Sequence, residues 1–241
     1  MLKRKQMNKI FYLIMSILLM SCHNQSPAKL WEDANLLRLE NNMKDCIINL
    51  DDLIAKYPHH DLAAKAQFQK AEIYLNDIKD YDISIEEFEK VIRQYPSHDV
   101  SKKSLFMIAY IYNNYLNAYS DAIIHYSNFL DKFPAIDVIM PQVSISPKAG
   151  GTILQFNKKV GDSIAKDETL CEISFDKTNM KVPAPVSGTV LEIIPQINDV
   201  VLSGNIISRI GDALIPSVEY ELQSLYTIEG IIDSLNLIID Q

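Results

Sequence analysis

Few residues of this chain are placed to do chemistry. Lys177 offers an amine in "EISFDKTNMKVPAP", between Asp176 and Thr178, where one β-rich run ends and another begins. His59, His60 and His98 offer imidazoles, and their recurrence in equivalent "HH" and "SH" turns raises the question of a metal. A site of that kind needs further histidine, cysteine or carboxylate ligands at coordinating spacing. No acidic or cysteine cluster accompanies them in the sequence, so they read as polar turn residues, with no metal expected. Residues 126–241 contain no histidine that could act as a general base for chemistry around Lys177. Cys46 and Cys171 sit among apolar neighbours in a helical and a strand pattern, and read as small core residues. Nothing in the sequence supports hydrolase, metal or nucleotide chemistry, and no catalytic residue is expected.

The elements that must position these groups fall into two kinds. No glycine occurs before Gly150, whereas Gly150, Gly151, Gly161, Gly188 and Gly204 follow in close order. The shift marks a change of architecture. Upstream, the chain matches itself at an offset of 38 residues: Pro58, Pro96 and Pro134 are equally spaced, in register with Phe68 and Phe106, Ala71 and Ala109, Tyr74 and Tyr112, and Phe88 and Tyr126. Weaker matches reach back to Leu30 and Leu50. Apolar residues recur at three and four, as in "FEKVIRQY", so each unit is a pair of amphipathic helices. Asp61 and Asp99 stand where N-caps are wanted.

This pattern resembles tetratricopeptide repeats, with an early aromatic, Ala71 or Ala109 three residues on, small Ser84 or Ala122 where the helices touch, and a closing proline. It is most similar to the repeats of bacterial envelope lipoproteins. The period exceeds the usual one, which points to a longer first helix and turn in "YLNDIKDYDIS". The resemblance implies protein partners bound along the repeats. One helix pair cannot bury its own apolar face and must stack on the next.

From Val138 short β-rich runs alternate with glycine, proline and Asn-Asp turns, which predicts a small all-β unit. It too repeats: "VGDSIAKDETLCEI" (160–173) matches "INDVVLSGNIISRI" (197–210), pairing Gly161 with Asn198 and Asp162 with Asp199. Glycine and asparagine tolerate a positive φ, so both copies can make the same turn. Two matching halves predict a pseudo-twofold β-sandwich. The unit resembles the lipoyl domain of 2-oxo acid dehydrogenase acyltransferase components, on "IMP", "GGTI", "KKVGD", "KDE", "VPAPVSG" and "ISRI" together with the lysine segment. That resemblance implies lipoate in amide linkage on Lys177, at a hairpin tip beside Asp176, and 2-oxo acid dehydrogenase components as partners. A biotin carrier would show methionines around the lysine, and none flank Lys177. Asn198 in place of glycine, Thr178, and "VSISPKAG" (143–150) depart from the family pattern.

After Ile210 the helical grammar resumes. Skipping 135–210, Pro134 is followed by "GDALIPSVEY", with Tyr220 in the column of Phe68 and Phe106. Segment 214–226 reads as a first repeat helix, and "IIDSLNLIID" as a second, closing one. The expected fold is therefore an all-α tetratricopeptide-like solenoid (30–134 and 211–241) interrupted by an all-β lipoyl-type flattened barrel or sandwich (135–210).

The N-terminus adds a compartment. "MLKRKQMNKIFYLIMSILLMSC" has four cations, an apolar run from Ile10 to Met20 and a terminal cysteine. It resembles the bacterial lipoprotein box, which implies a signal peptide over 1–21, lipidation of Cys22 and a tether over 22–29. Cleavage would remove four positive and no negative charges, shifting the formal charge from −8 to −12. Such a surface repels nucleic acid. Three readings follow: an envelope-anchored, non-catalytic protein-binding scaffold; an acyl carrier with Lys177 lipoylated; and a chimeric insertion without joint function. A lipoprotein crosses the membrane unfolded, whereas lipoate is attached to a folded cytoplasmic domain, so compartment separates the first two. Unused, the signal leaves the chain in the cytoplasm.

Overall fold

The computed structural model describes residues 25–142, 150–175 and 178–239, with side chains as far as Gly230. The signal segment, Cys22, the loop 143–149, Asp176 and Lys177 lie outside the described residues. The chain packs as two compact units, 1–101 and 102–241.

The first unit is built from helix pairs. Helix α1 (Pro27–Leu39) starts on Ser26, whose hydroxyl accepts from the Lys29 N–H, with Pro27 at the position where its missing N–H costs nothing. Helix α2 (Met43–Lys56) follows, then α3 (Asp61–Glu72), which runs on as a π-helical turn over Ile73–Ile78, and α4 (Tyr81–Gln94). Helix α5 (Asp99–Asn114) begins at the end of this unit and continues into the second. Leu30, Leu50, Leu53, Ala63 and Ile73 form a core between the first pairs, all fully buried.

The 38-residue period has a physical basis in the turns. Asn41 (φ 61°), Lys79 (φ 64°) and Asn117 (φ 53°) are left-handed and stand one repeat apart. Each ends a first helix, and Asp80 and Ala118 donate back to Tyr74 and Tyr112 in the same 2.9 Å bond. The π-helical turn at Ile73–Ile78 supplies the added length that the "YLNDIKDYDIS" segment predicts. Cys46, Ser84 and Ala122 are the small residues at which paired helices touch, and all are fully buried.

The helix starts correct one expectation. Asp61 and Asp99 are the first helical residues rather than the caps. The caps are His60 and His98, whose Nδ1 atoms accept from the N–H groups of Leu62 (3.1 Å) and Val100 (3.2 Å). An unprotonated imidazole nitrogen satisfies a free helix N–H as an oxygen would. That leaves the aspartates free to face the positive end of the dipole.

The second unit contains the rest of α5, helix α6 (Tyr119–Lys132), eight strands and helix α7 (Ile215–Ile239). The strands are β1 (Ile136–Ile139), β2 (Gly150–Phe156), β3 (Ser163–Ile164), β4 (Thr169–Phe175), β5 (Thr178–Pro183), β6 (Gly188–Ile193), β7 (Val200–Leu202) and β8 (Ile206–Gly211). They form two four-stranded antiparallel sheets, in the orders β1-β8-β6-β3 and β5-β4-β2-β7. A shift of 37 residues carries the pairs Thr152↔Val200 and Gly151↔Val201 onto Thr189↔Ser163 and Gly188↔Ile164. The internal repeat is thus a twofold sandwich, closed over Val138, Met140, Ile153, Leu170, Cys171, Ile173, Val190, Ile207 and Ile210.

Helix α7 is one continuous helix of 25 residues, not the two helices read from the sequence. Gly230 alone does not end it, since a lone glycine in a helix interior costs only about 1 kcal/mol. Ile215, Val218 and Leu225 pack with Ala109, Ala122, Tyr126 and Phe129 of α5 and α6. Tyr220, by contrast, is 72% exposed. Its counterparts Phe68 and Phe106 pack against the second helices of their own repeats, with ring centroids 5.2 Å from Phe88 and 5.8 Å from Tyr126. The continuous α7 folds no second helix back over Tyr220.

Candidate functional site

The strands around the lysine segment are in register to the last residue. β4 and β5 pair antiparallel down to Phe175↔Thr178, leaving a connection of two residues, Asp176 and Lys177. Thr178, the first residue of β5, is exposed. A two-residue link between paired strands is the tightest hairpin connection. Its flanks emerge at one particular end of the sandwich. β1 leaves α6 at Ile136, and β8 returns the chain at Gly211, side by side. At the opposite end of β1, Met140 packs so closely on Gly151 that a Cβ there would lie 2.7 Å from its Cε and 3.3 Å from the Ser174 carbonyl oxygen. The strand ends that flank Asp176 and Lys177 therefore point away from the helices.

Two matched turns brace the sandwich. Gly161 (φ 92°) and Asn198 (φ 76°) are both left-handed, and their N–H groups donate to Val190 and Ile153, each at 2.8 Å. Asp162 accepts from the Lys159 N–H at 3.0 Å and Asp199 from the Gln196 N–H at 2.8 Å. A second matched pair was not read from the sequence: Asp167 (φ 68°) and Gly204 (φ 86°). The same offset of 37 would have found it.

Cys171 is fully buried, and burial pushes its thiol up to about 11; burial likewise raises the Cys46 thiol. At Cys46 the pull of Arg38 is outweighed by burial, so neither thiol has the surroundings that make a reactive thiolate. The histidine turns line a shallow surface groove with Asp61, Tyr95 and Pro96. One acidic residue accompanies His98: its Nε2 donates to Asp61 Oδ1 at 2.9 Å, the other nitrogen being occupied by the cap. Hydrogen bonds from Lys65 first, and then from His98, hold the Asp61 carboxyl below its ordinary range. Among the described residues no group of three histidine, cysteine or acidic side chains is arranged to hold a metal.

A charged network in the first unit also escaped the sequence. Glu87, with 5% of its side chain exposed, is bonded by Gln67 and Lys90 (2.7 Å) and faces Lys70 at 3.4 Å. Burial alone would raise its pKa, yet these partners outweigh burial and lower it. Lys70 also bonds Asp51 at 2.8 Å, which ties α2, α3 and α4 together.

Helix pairs repeating every 38 residues, joined to a twofold β-sandwich whose β4 and β5 pair as far as Phe175 and Thr178, define a helical-repeat protein carrying a small β module. The family models agree. Residues 65–98 and 103–135 match the tetratricopeptide repeat, and residues 136–210 match the model described as "Biotin-requiring enzyme". Over 76 residues the module is 47% identical to the dihydrolipoyllysine-residue acetyltransferase component of the pyruvate dehydrogenase complex of Corynebacterium glutamicum, covering 32% of this chain and 11% of that one. It is 41% identical over 73 residues to the dihydrolipoyllysine-residue succinyltransferase component of the 2-oxoglutarate dehydrogenase complex of Cupriavidus necator, covering 30% and 17%. The lipoyl domain of the 2-oxoglutarate dehydrogenase complex from Azotobacter vinelandii is 33% identical, covering 32% of this chain and 92% of that domain, with a TM-score of 0.26. The chain thus spans under a fifth of the length of the acyltransferase relatives.

Proposed function

We propose that this chain is an anchored, non-catalytic scaffold that binds other proteins through its tetratricopeptide helices and carries a lipoyl-type module inserted between its third repeat and the helix that follows. The observation that carries this reading is the continuity of the helical core. Ile215, Val218 and Leu225, beyond the module, complete the same cluster as Ala109, Ala122 and Phe129 before it. An insertion at a surface turn, with its two ends adjacent, leaves a host stack undisturbed. This supports 135–210 as the inserted segment, with 30–134 and 211–241 as its host. Repeat stacks present long surfaces to protein partners. The N-terminal cations and the apolar run Ile10–Met20, followed by Cys22, support attachment of lipid to that cysteine after removal of 1–21, with 22–29 as tether, on the periplasmic side or at the outer membrane of a bacterial envelope.

The similarity of the module to dihydrolipoyllysine-bearing relatives favours a second reading, in which Lys177 takes lipoate and 2-oxo acid dehydrogenase components act on it. Bound there, lipoate would supply acyl transfer through its dithiolane. The described residues fit such a group in that Phe175 and Thr178 pair directly beside the attachment position and the strand ends point away from the helices.

The scaffold reading is tested by in-cell cross-linking in the native host. Partners should be recovered equally with the full chain and with a chain lacking 135–210, and should be lost from the membrane fraction with Cys22→Ser. Recovery that depends on the module alone would contradict it.

A further inference from the structure

Two independently folded parts joined by chain crossings ordinarily move relative to one another unless a sizeable apolar contact holds them. The joins of this module leave little slack. Three residues separate α6 from β1, and three separate β8 from α7. At the second join Gly211 is in close contact on three sides: a Cβ on it would lie 2.7 Å from Ile215 Cδ1, 3.0 Å from Leu191 Cδ1 and 3.3 Å from Ala135 Cα. Leu191, on β6, turns out of the sandwich and packs with the cluster of α5, α6 and α7. Charges close the same seam. Arg209 on β8 donates to Glu219 on α7 at 3.0 Å and lies 4.0 Å from Asp137 on β1.

We infer that the β module is carried as a fixed part of the helical unit, so that the strand ends Phe175 and Thr178 on either side of Lys177 are held in one orientation relative to α5, α6 and α7. This rests on the proposed function for the use made of the hairpin, but not for the clamp itself. The consequence for partners is geometric. A tethered group reaches only those sites that its linkage can span, and its effective concentration elsewhere falls to nothing. A swinging module would serve distant sites by moving. A clamped one serves only a protein that meets the far end of the sandwich while the helices hold it there. A protein acting on Lys177 therefore has to come to this chain and fit the fixed pose of the strand ends beside it.

The test is backbone 15N relaxation on the full soluble chain from residue 25 onward. Amides of β2, β4, β6 and β8 should share one rotational correlation time with those of α5 and α6. A distinctly shorter time for the strands would overturn the inference. A second protein, Leu191→Ser with Arg209→Ala, removes one apolar and one charged contact while leaving the sandwich core intact. Its strands are expected to lose the shared correlation time, and an unchanged value would contradict the assignment of the clamp to these contacts. Both results are read without reference to any group on Lys177. Failure of the clamp is thus distinguishable from failure of the scaffold or carrier reading, which intact mass decides.

Discussion

Lys102 and Asp212, 110 residues apart in sequence, meet at 2.9 Å, with the Lys102 ammonium also 5.7 Å from the centroid of the Phe133 ring. One side chain of α5 thus gathers the place where the chain leaves the helices and the place where it comes back. Joining Pro134 directly to Gly211 should therefore give a protein that keeps its helical circular dichroism and its solubility. Collapse of the helical signal would count against the insertion.

Glu87, paired with Lys90 on its own helix, ties α4 to α3 through Gln67 and Lys70, and Lys70 carries the tie on to Asp51 of α2. Removing one partner of a buried charge cluster leaves the others uncompensated, so Glu87→Ala should cost about 3 kcal/mol in urea unfolding. Its pKa in the fold is lowered, so its contribution is present above the unfolded value of about 4.3 and is lost as pH falls through the folded value. Wild-type stability should accordingly decline below about pH 4.5, and the slope of that decline should be shallower in Glu87→Gln.

His98 caps α5 with one ring nitrogen and bonds Asp61 with the other. His98→Ala should cost about 1 kcal/mol, the usual worth of a cap. His98→Asn keeps an acceptor at the cap and should recover most of that loss. Equal losses in the two variants, measured by thermal unfolding, would show that the cap contributes nothing.

Asp167 occupies a left-handed position whose pseudo-twofold counterpart is Gly204. An L-residue there bears steric cost, offset in part by the greater unfolded-state freedom of glycine. Asp167→Gly should be neutral or stabilising, by up to about 1 kcal/mol. Gly204→Ala should destabilise through φ alone, because nothing lies within 4 Å of its added Cβ.

Repetition made most of this fold legible before any coordinates. Helix pairs at an offset of 38 and matched strands at 37 follow from residues that must be small, apolar or turn-forming in each copy, such as Cys46, Ser84 and Ala122, or Gly161 and Asn198. Features that occur once were not legible. The Glu87 network and the Arg209–Glu219 contact depend on side chains brought together across elements, and no period marks them. The caps were misread because aspartate is the commoner cap and histidine acts as one only when its Nδ1 is left unprotonated. The continuous α7 was missed for a related reason, since its apolar residues fit two short helices as well as one long one.

The central claim, that this is an anchored scaffold and not an acyl carrier, is tested most directly by the intact mass of the protein purified from its own host. The account predicts a chain beginning at Cys22 with a diacylglyceryl mass on it and an unmodified Lys177. A lipoyl adduct that disappears in Lys177→Arg, on a chain that retains residues 1–21, would contradict it.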